Sequence, residues 1–279
     1  MTNNGSLIIG DGIIGCALAK LLRSKGEPFV ITSRNIDRAT STCFLDLKDL
    51  SSFSIPKGIK TAYICAGVSL KSNCEENLST SRIINVTNTM ELAKSLSNKN
   101  IFVVFLSSAE VFSGRKPKYD INDLPNPESA YGKLKVETEC ALKKLEKNFS
   151  VIRLTKVLDR KSGIASMWIK RLQDNQPINA FNDIYISPVS LKYATEFIYS
   201  VGDSQNPGIY HLSGDKDYSY YDIAKMLAHR TLSNTLLVSG SAADIEMPTY
   251  ASLSMQNNSN SDHFKPQPIN SVLESLFSE

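Results

Sequence analysis

A tyrosine and a lysine four residues apart, Tyr131 and Lys135 in "YGKLK", have side chains suited to acid–base chemistry. On a helix, residues at this spacing lie one turn apart on the same face. A lysine ammonium beside a phenol favours the phenolate, which would suit a tyrosine that exchanges a proton with a substrate. The spacing alone proves nothing, because Tyr221 and Lys225 in "YDIAK" repeat it and a chain of this composition gives about one such pair by chance.

The surroundings of the two pairs distinguish them. The apolar run "IFVVFLSS" predicts a strand that ends at Ser108, and the proline-containing loop "LPNPESA" then precedes "YGKLK". The loop reverses the chain, so the first turn of the next helix faces the end of that strand. We therefore expect Tyr131, Lys135 and Ser108 to converge. Tyr221 follows a later segment without such a partner, and it belongs most simply to a helix of a small lobe.

A glycine pattern near the amino terminus predicts a dinucleotide-binding turn. Gly10, Gly12 and Gly15 form G-x-G-x-x-G between an apolar run and a helical pattern. The first glycine makes the tight turn, the second admits a pyrophosphate, and the third lets the helix pack on the strand. The phosphates then face the unpaired N–H groups of the helix, so Ile13 and Ile14 are also predicted contacts. The alternative is a glycine-rich turn of an α/β core.

The end of the second predicted strand bears on which dinucleotide binds. "VITSRN" offers no carboxylate for the adenosine ribose of NAD, whereas Ser33 and Arg34 suit a 2′-phosphate. We expect NADP (as NADPH), with NAD as the alternative if Arg34 is an ordinary loop residue. Asp46 either meets the adenine amino group or caps a helix. The remaining predicted cofactor contacts follow the third and fourth strands: Leu47, Ala66 and Gly67.

Strand and helix patterns alternate along the first half of the chain. Continuous apolar runs without polar alternation are typical of buried parallel strands, and they separate helices with three- and four-residue apolar spacing. This pattern predicts an α/β fold, a Rossmann-type doubly wound parallel sheet with a smaller carboxy-terminal substrate lobe. We assign residues 1–155 and about 187–214 to the dinucleotide-binding domain, with "GIYHLSG" as its last strand. The lobe takes about 156–186 and 215–279.

Composition excludes several function classes. A net charge of +3 without a long basic run argues against nucleic acid. Five cysteines without a CxxC pair argue against a disulfide framework and a metal site. No stretch is apolar enough to span a membrane, and the amino terminus does not resemble a leader, so we expect a cytoplasmic protein. The residues leave the oligomeric state open, with a homodimer as one option.

Together the glycine turn, "SSAEVF", "NPESAYGKLK" and "INVTNTMELA" resemble the extended short-chain dehydrogenase/reductases over most of the chain. Within them, "NDIYISPVSLKYATEFI", "GIYHLSGDKDYSYYDIAKML" and the "FKPQPINSVLESLF" ending are similar to the dTDP-4-dehydrorhamnose reductase group of nucleotide-sugar reductases. The glycine spacing differs by one residue from that group's usual G-x-x-G-x-x-G.

The resemblance implies an NAD(P)H-dependent oxidoreductase that reduces a keto group on a nucleotide-activated sugar. Tyr131 would donate the proton, Lys135 would hold the nicotinamide ribose and ease the return of the proton, and Ser108 would bond the reacting oxygen. Glu110 suits a base, but Ala109 cannot act as the acid that dehydratases carry there. Epimerisation or decarboxylation, or a non-catalytic dinucleotide-binding regulatory protein, are the alternatives. Predicted substrate contacts are Glu110, Trp168 and Tyr185.

Overall fold

The computed structural model describes residues 5–35, 43–145, 148–241, 249–256, 258 and 264–278. The strands are β1 (Gly5–Ile9), β2 (Phe29–Ser33), β3 (Cys43–Phe44), β4 (Ile59–Ile64), β5 (Phe102–Ser108), β6 (Phe149–Leu154), β7 (Val157–Leu158), β8 (Ile178–Phe181), β9 (Ile184–Ile186), β10 (Val189–Ser190), β11 (Gly208–Leu212), β12 (Tyr218–Ser219), β13 (Leu237–Gly240) and β14 (Thr249–Ala251). The helices are α1 (Ile13–Ser24), α2 (Lys71–Glu76), α3 (Leu78–Arg82), α4 (Thr89–Ser97), α5 (Ala130–Leu142), α6 (Gly163–Gln173), α7 (Leu191–Ser204), α8 (Tyr220–Arg230) and α9 (Ile269–Ser275).

Seven strands form a parallel sheet in the order β11-β6-β5-β4-β1-β2-β3. The predicted doubly wound sheet is therefore confirmed, and "GIYHLSG" supplies its last strand, β11. The chain changes direction across the sheet between β1 and β4, and this is where an open α/β sheet leaves a crevice at its carboxyl edge. The third strand, β3, is only two residues long, because the chain turns at residues 46–49.

Both faces of the sheet are covered, which explains why its strands lack polar alternation. Even-numbered residues such as Ile8, Val104 and Ile152 pack under α1 and α7. Their odd-numbered neighbours, such as Leu7, Val103 and Val151, pack under α4 and α5. The stretch from α2 to α4 is almost continuously helical, with a π-helical segment at Ile83–Asn88.

A third apolar cluster joins α6, α8 and α9 to β8 and β9. Its residues come from the two segments assigned to the small lobe by sequence, although the boundaries of that lobe stay a prediction. No helix among the described residues is long and apolar enough to cross a membrane.

Gly15 in α1 marks the tightest contact between helix and strand. A Cβ atom at this position would lie 2.0 Å from the carbonyl oxygen of Gly10. At Gly12, three residues earlier, a Cβ atom would meet nothing within 4 Å. The third glycine of the turn is therefore required for packing, and the second is not.

We predict that Gly15→Ala lowers the free energy of unfolding by about 1–3 kcal/mol or more, because helix α1 must shift away from β1. Gly12→Ala is the matched control and should change it by less than about 0.5 kcal/mol. Urea unfolding followed by circular dichroism measures both. Equal losses from the two substitutions would contradict this account of the packing.

Candidate active site

Helix α5 begins unusually close to the loop that follows β5. Ser129 caps the helix and accepts a hydrogen bond from the Gly132 N–H at 3.1 Å. A Cβ atom on Gly132 would lie 2.1 Å from the carbonyl oxygen of Glu110. The glycine after Tyr131 therefore lets the first turn of α5 approach the end of β5, as the proline loop predicted.

Tyr131 is half-buried at this junction, and the Ser108 side chain lies near its phenol. Burial and, to a smaller extent, the negative charge of Glu110 together raise the pKa of Tyr131 to about 12, and the polar side chain of Ser108 acts in the opposite direction. The phenol therefore holds its proton at neutral pH. A group in this state is an acid rather than a base.

Lys135 lies one turn further along α5 and is 7 % exposed. Its Nζ donates to the carbonyl oxygen of Leu106 at 2.7 Å and lies 4.5 Å from the ring centre of Phe105 and 5.6 Å from that of Tyr131. Burial lowers the pKa of Lys135 to about 8, opposed mainly by Glu139. We expected the ammonium to favour the phenolate of Tyr131. The pKa of Tyr131 rises instead, because burial of the phenol outweighs the other influences on it.

Glu110 is the centre of the polar side chains around Tyr131. It forms an ion pair with Lys71 at 2.8 Å and accepts a hydrogen bond from Ser129 at 3.4 Å. Its charge also contributes to the pKa of Tyr220, which burial raises to about 12. Tyr220 begins α8 and brings a second phenol from the small lobe towards the site. Sequence analysis did not single out Tyr220.

The two aromatic residues predicted as substrate contacts differ in exposure. Trp168 is 2 % exposed and belongs to the apolar cluster of the small lobe, where its ring packs edge-on against Tyr220 at 6.1 Å. Trp168 therefore supports Tyr220 and offers no surface to a substrate, which corrects the prediction. Tyr185 on β9 is partly exposed and stacks on Tyr250 at 5.1 Å.

The glycine turn has the geometry that a pyrophosphate needs. Gly10 has φ +102°, a conformation that favours glycine, and its N–H donates to Thr32 Oγ1 at 3.0 Å. Ala66 packs against Gly10, with Gly67 following it. Gly12 is exposed and precedes α1, whose first residue, Ile13, is 51 % exposed. Backbone N–H groups of the first helical turn and the open space at Gly12 can receive an anion.

The next residues of the predicted cofactor site differ in accessibility. Ile14 packs against the core beneath α1. Ser33 is buried, and its hydroxyl donates to Asp11 at 2.8 Å rather than facing outward. Arg34 is exposed at the end of β2. Of the two groups predicted to hold a 2′-phosphate, the guanidinium is therefore the accessible one.

Asp46 and Leu47 follow β3 in a turn rather than a helix. The Asp46 carboxylate accepts a bond from the Lys48 N–H at 2.9 Å, so it stabilises the turn and does not cap a helix. The Leu47 side chain is buried in the sheet core, and its carbonyl oxygen accepts a bond from Asn88 at 2.8 Å. Only the backbone at Leu47 can face a ligand.

Asn85 shapes the loop beside the glycine turn and was missed by sequence analysis. Its amide accepts from the Val68 N–H at 2.7 Å and donates to the Val68 carbonyl oxygen at 2.9 Å. Thr138 on α5 donates to the Asn85 carbonyl oxygen at 2.8 Å. These bonds tie the loop after β4 to the helix that carries Tyr131. A buried asparagine within the apolar pattern "INVTN" was the available signal.

No group of three or more histidine, cysteine, aspartate or glutamate side chains that could hold a metal occurs within the described ranges. The site instead combines a half-buried phenol, a buried ammonium, a serine hydroxyl and the open glycine turn. All four lie at the carboxyl edge of the parallel sheet.

The chain is similar in sequence and in fold to known dTDP-4-dehydrorhamnose reductases. The dTDP-4-dehydrorhamnose reductase of Aggregatibacter actinomycetemcomitans is 29% identical over 265 residues, which cover 88% of this chain and 86% of the relative. The methionine adenosyltransferase 2 subunit beta of Xenopus laevis is 27% identical over 156 residues, covering 52% of this chain and 47% of that protein. Among solved structures, dTDP-4-dehydrorhamnose reductase of Bacillus anthracis in complex with NADP has a TM-score of 0.85. The two chains are 18% identical and cover 99% and 98% of each other.

The family model described as "RmlD substrate binding domain" matches residues 6–279. This match spans the glycine turn, the Tyr131 helix and the small lobe, and it confirms the resemblance to the dTDP-4-dehydrorhamnose reductase group that the sequence suggested. The chain belongs to the RmlD substrate binding domain family.

Proposed function

We propose that this protein is an NAD(P)H-dependent reductase of a keto group on a nucleotide-activated sugar, with Tyr131 as the proton donor. The observation that carries the proposal is the convergence of Tyr131, Lys135 and Ser108 where α5 meets the end of β5. A relative that shares most of this chain is named dTDP-4-dehydrorhamnose reductase, and a similar fold binds NADP. Both support a reductase.

The residues present fit a dinucleotide. Gly12 leaves open space before α1, and the N–H groups of the first helical turn suit the pyrophosphate. Arg34 is accessible to a 2′-phosphate, so we propose NADPH as the cofactor, with NADH as the alternative. When bound, the nicotinamide supplies the hydride that reduces the carbonyl carbon.

Three side chains of this protein provide and stabilise the transferred proton: Tyr131, Ser108 and Lys135. Tyr131 holds its proton at neutral pH, as any phenol does, and burial raises its pKa to about 12. It gives the proton to the carbonyl oxygen as negative charge develops there. The Ser108 hydroxyl bonds the same oxygen and orients it. The Lys135 ammonium holds the nicotinamide ribose and stabilises the phenolate that remains. A resting pKa above neutrality suits reduction, in which tyrosine acts first as an acid.

The rival functions lack part of this arrangement. Dehydration needs an acid beside Glu110, and the neighbouring residue is Ala109, which is buried and apolar. The second candidate is a non-catalytic protein that binds a dinucleotide, and one partial match, over 52% of this chain, is named as a subunit, methionine adenosyltransferase 2 subunit beta. A purely binding role does not require a phenol, a buried ammonium and a hydroxyl to lie together at the end of β5, so turnover separates the two functions.

We predict that Tyr131→Phe lowers kcat by about 10²–10⁴ because the proton donor is lost. The Kd for NADPH should stay nearly unchanged, since the substitution leaves the glycine turn intact. NADPH oxidation with a panel of 4-keto sugar nucleotides measures kcat, and fluorescence titration measures Kd.

The matched control is Tyr221→Phe. Tyr221 lies 5.6 Å from Lys225 Nζ, in the apolar cluster of the small lobe. Its loss should leave kcat within a few-fold of the wild type. Equal effects of the two substitutions would remove Tyr131 from the proposed mechanism.

The choice between NADPH and NADH should depend on Arg34. If its guanidinium pairs with a 2′-phosphate, the charge-assisted bonds are worth about 1.5–3 kcal/mol. Arg34→Ala should therefore raise the Kd for NADPH by about 10- to 150-fold and leave the Kd for NADH almost unchanged. Titration of both cofactors at low salt checks this. Equal weakening of both, or a wild type that prefers NADH, would assign Arg34 to the loop surface.

A further inference from the structure

A row of buried polar side chains crosses the sheet next to the proposed active site. Ser107 on β5, Arg153 on β6 and His211 on β11 are neighbours in register, and all three are at most 4 % exposed. They lie on the sheet face that α5 covers. Ser107 directly precedes Ser108, so the row ends beside the proposed hydroxyl donor.

Glu139 closes the row from α5 and is 2 % exposed. Its carboxylate accepts a hydrogen bond from Ser107 Oγ at 2.5 Å and forms an ion pair with Arg153 at 2.8 Å. Arg153 Nε also bonds to the carboxylate, at 3.2 and 3.3 Å to its two oxygens. One helix and two strands therefore meet at one carboxylate.

His211 completes the row without adding charge. Burial and the neighbouring Arg153 lower the pKa of His211 to about 4, so its ring is neutral at physiological pH. Nδ1 lies 3.0 Å from the Ser254 carbonyl oxygen and carries the proton, which leaves Nε2 to accept from Arg153 at 3.3 Å. The row therefore contains one positive and one negative charge, both removed from water.

A buried ion pair is weak evidence for stability, because the cost of removing two charges from water often exceeds their attraction. The position of the Glu139–Arg153 pair indicates that it positions other groups instead. Glu139 follows Tyr131 and Lys135 at successive four-residue steps, on the same face of α5. The carboxylate thus fixes both the helix that carries the proposed acid and the strand that ends in Ser108.

We propose that Glu139, held by Arg153, is a positioning residue that locks α5 to β5 through Ser107 and keeps the buried Lys135 ammonium charged. The inference rests on the proposed function, since it assigns the role of Lys135 and Ser108.

The groups that face Lys135 support this assignment. They are Tyr131 and Glu139 on α5, Cys65 after β4, Cys74 on α2 and the Leu106 carbonyl oxygen. Burial raises the pKa of both thiols, that of Cys65 to about 12, so neither is ionised at neutral pH. Glu139 therefore supplies the negative charge that opposes the effect of burial on Lys135.

The protonation of Lys135 determines how reduction should depend on pH. The ammonium exists below the pKa of Lys135, so reduction should decline as pH rises through that value. Without the carboxylate the pKa of Lys135 falls further. The alkaline limb of the kcat profile should then move to lower pH by about one unit.

The first variant is Ser107→Ala, which removes the link to β5 while Glu139 keeps Arg153 as its partner. We expect kcat to fall by about 10-fold or more from misplaced reacting groups, with the Kd for NADPH within about two-fold of the wild type. Ser150→Ala is the matched control. It removes a fully buried serine hydroxyl on β6 that bonds to the Asn206 carbonyl oxygen at 2.7 Å, and it should leave kcat unchanged.

The second variant is the double substitution Glu139→Gln with Arg153→Met, which removes both members of the ion pair, so that Arg153 is not left buried without its carboxylate. Its alkaline limb should lie about one pH unit below that of the wild type. The Kd for NADPH should weaken over the same alkaline pH range, because Lys135 is the proposed donor to the ribose. This measurement requires no sugar substrate. If the double variant does not fold, the kcat of Ser107→Ala decides.

Wild type and Tyr131→Phe are measured alongside to separate two kinds of failure. A wild type without keto-sugar turnover contradicts the proposed function, and the pH profile of NADPH binding still tests Glu139. The positioning role is overturned if the wild type is active and the folded variants, Ser107→Ala and the double substitution, keep the kcat and the alkaline limb of the wild type. A change in melting temperature alone, without either kinetic effect, also overturns it.

Discussion

The close approach of α5 to the end of β5 is the constraint on which the site depends. Gly132 permits it, since any side chain there would collide with the Glu110 backbone. The same approach brings the Tyr131 phenol to Ser108 and sets both beside the Glu110 charge. Asn85 and Thr138 then tie the loop near the glycine turn to the same helix. The contact between Gly132 and the Glu110 backbone therefore places Tyr131 next to the crevice at the glycine turn.

Burial at this contact has opposite consequences for the two ionisable groups. It stabilises the protonated phenol of Tyr131 and destabilises the ammonium of Lys135, because in each case the neutral form is favoured away from water. The first effect keeps the phenol protonated over a wider pH range. The second would discharge the lysine, so a buried anion must be placed nearby. Glu139 meets that requirement, and its own charge is balanced by Arg153.

Sequence patterns predicted the sheet because each strand buries both faces and each helix keeps an apolar stripe. They also predicted that Tyr131 and Ser108 converge, since parallel strands end at one edge. Roles that depend on side-chain direction were harder to infer. Trp168 looked like a cleft residue but faces the core, and Ser33 turns towards Asp11. Asn85 and Tyr220 were missed because their contacts come from residues distant in sequence.

The two tyrosine–lysine pairs show what a short pattern leaves undetermined. In both, the lysine nitrogen lies 5.6 Å from the centre of the tyrosine ring, so the pairs have the same internal geometry. Lys225 is exposed on the small lobe, whereas Lys135 is buried and bonded to the end of β5. Helical spacing sets the distance between the tyrosine and the lysine of a pair. The surrounding protein determines whether the lysine ammonium is exposed to water or buried. The chemistry proposed for Tyr131 therefore arises from the strand end, the glycine and the buried carboxylate that surround an otherwise ordinary pair.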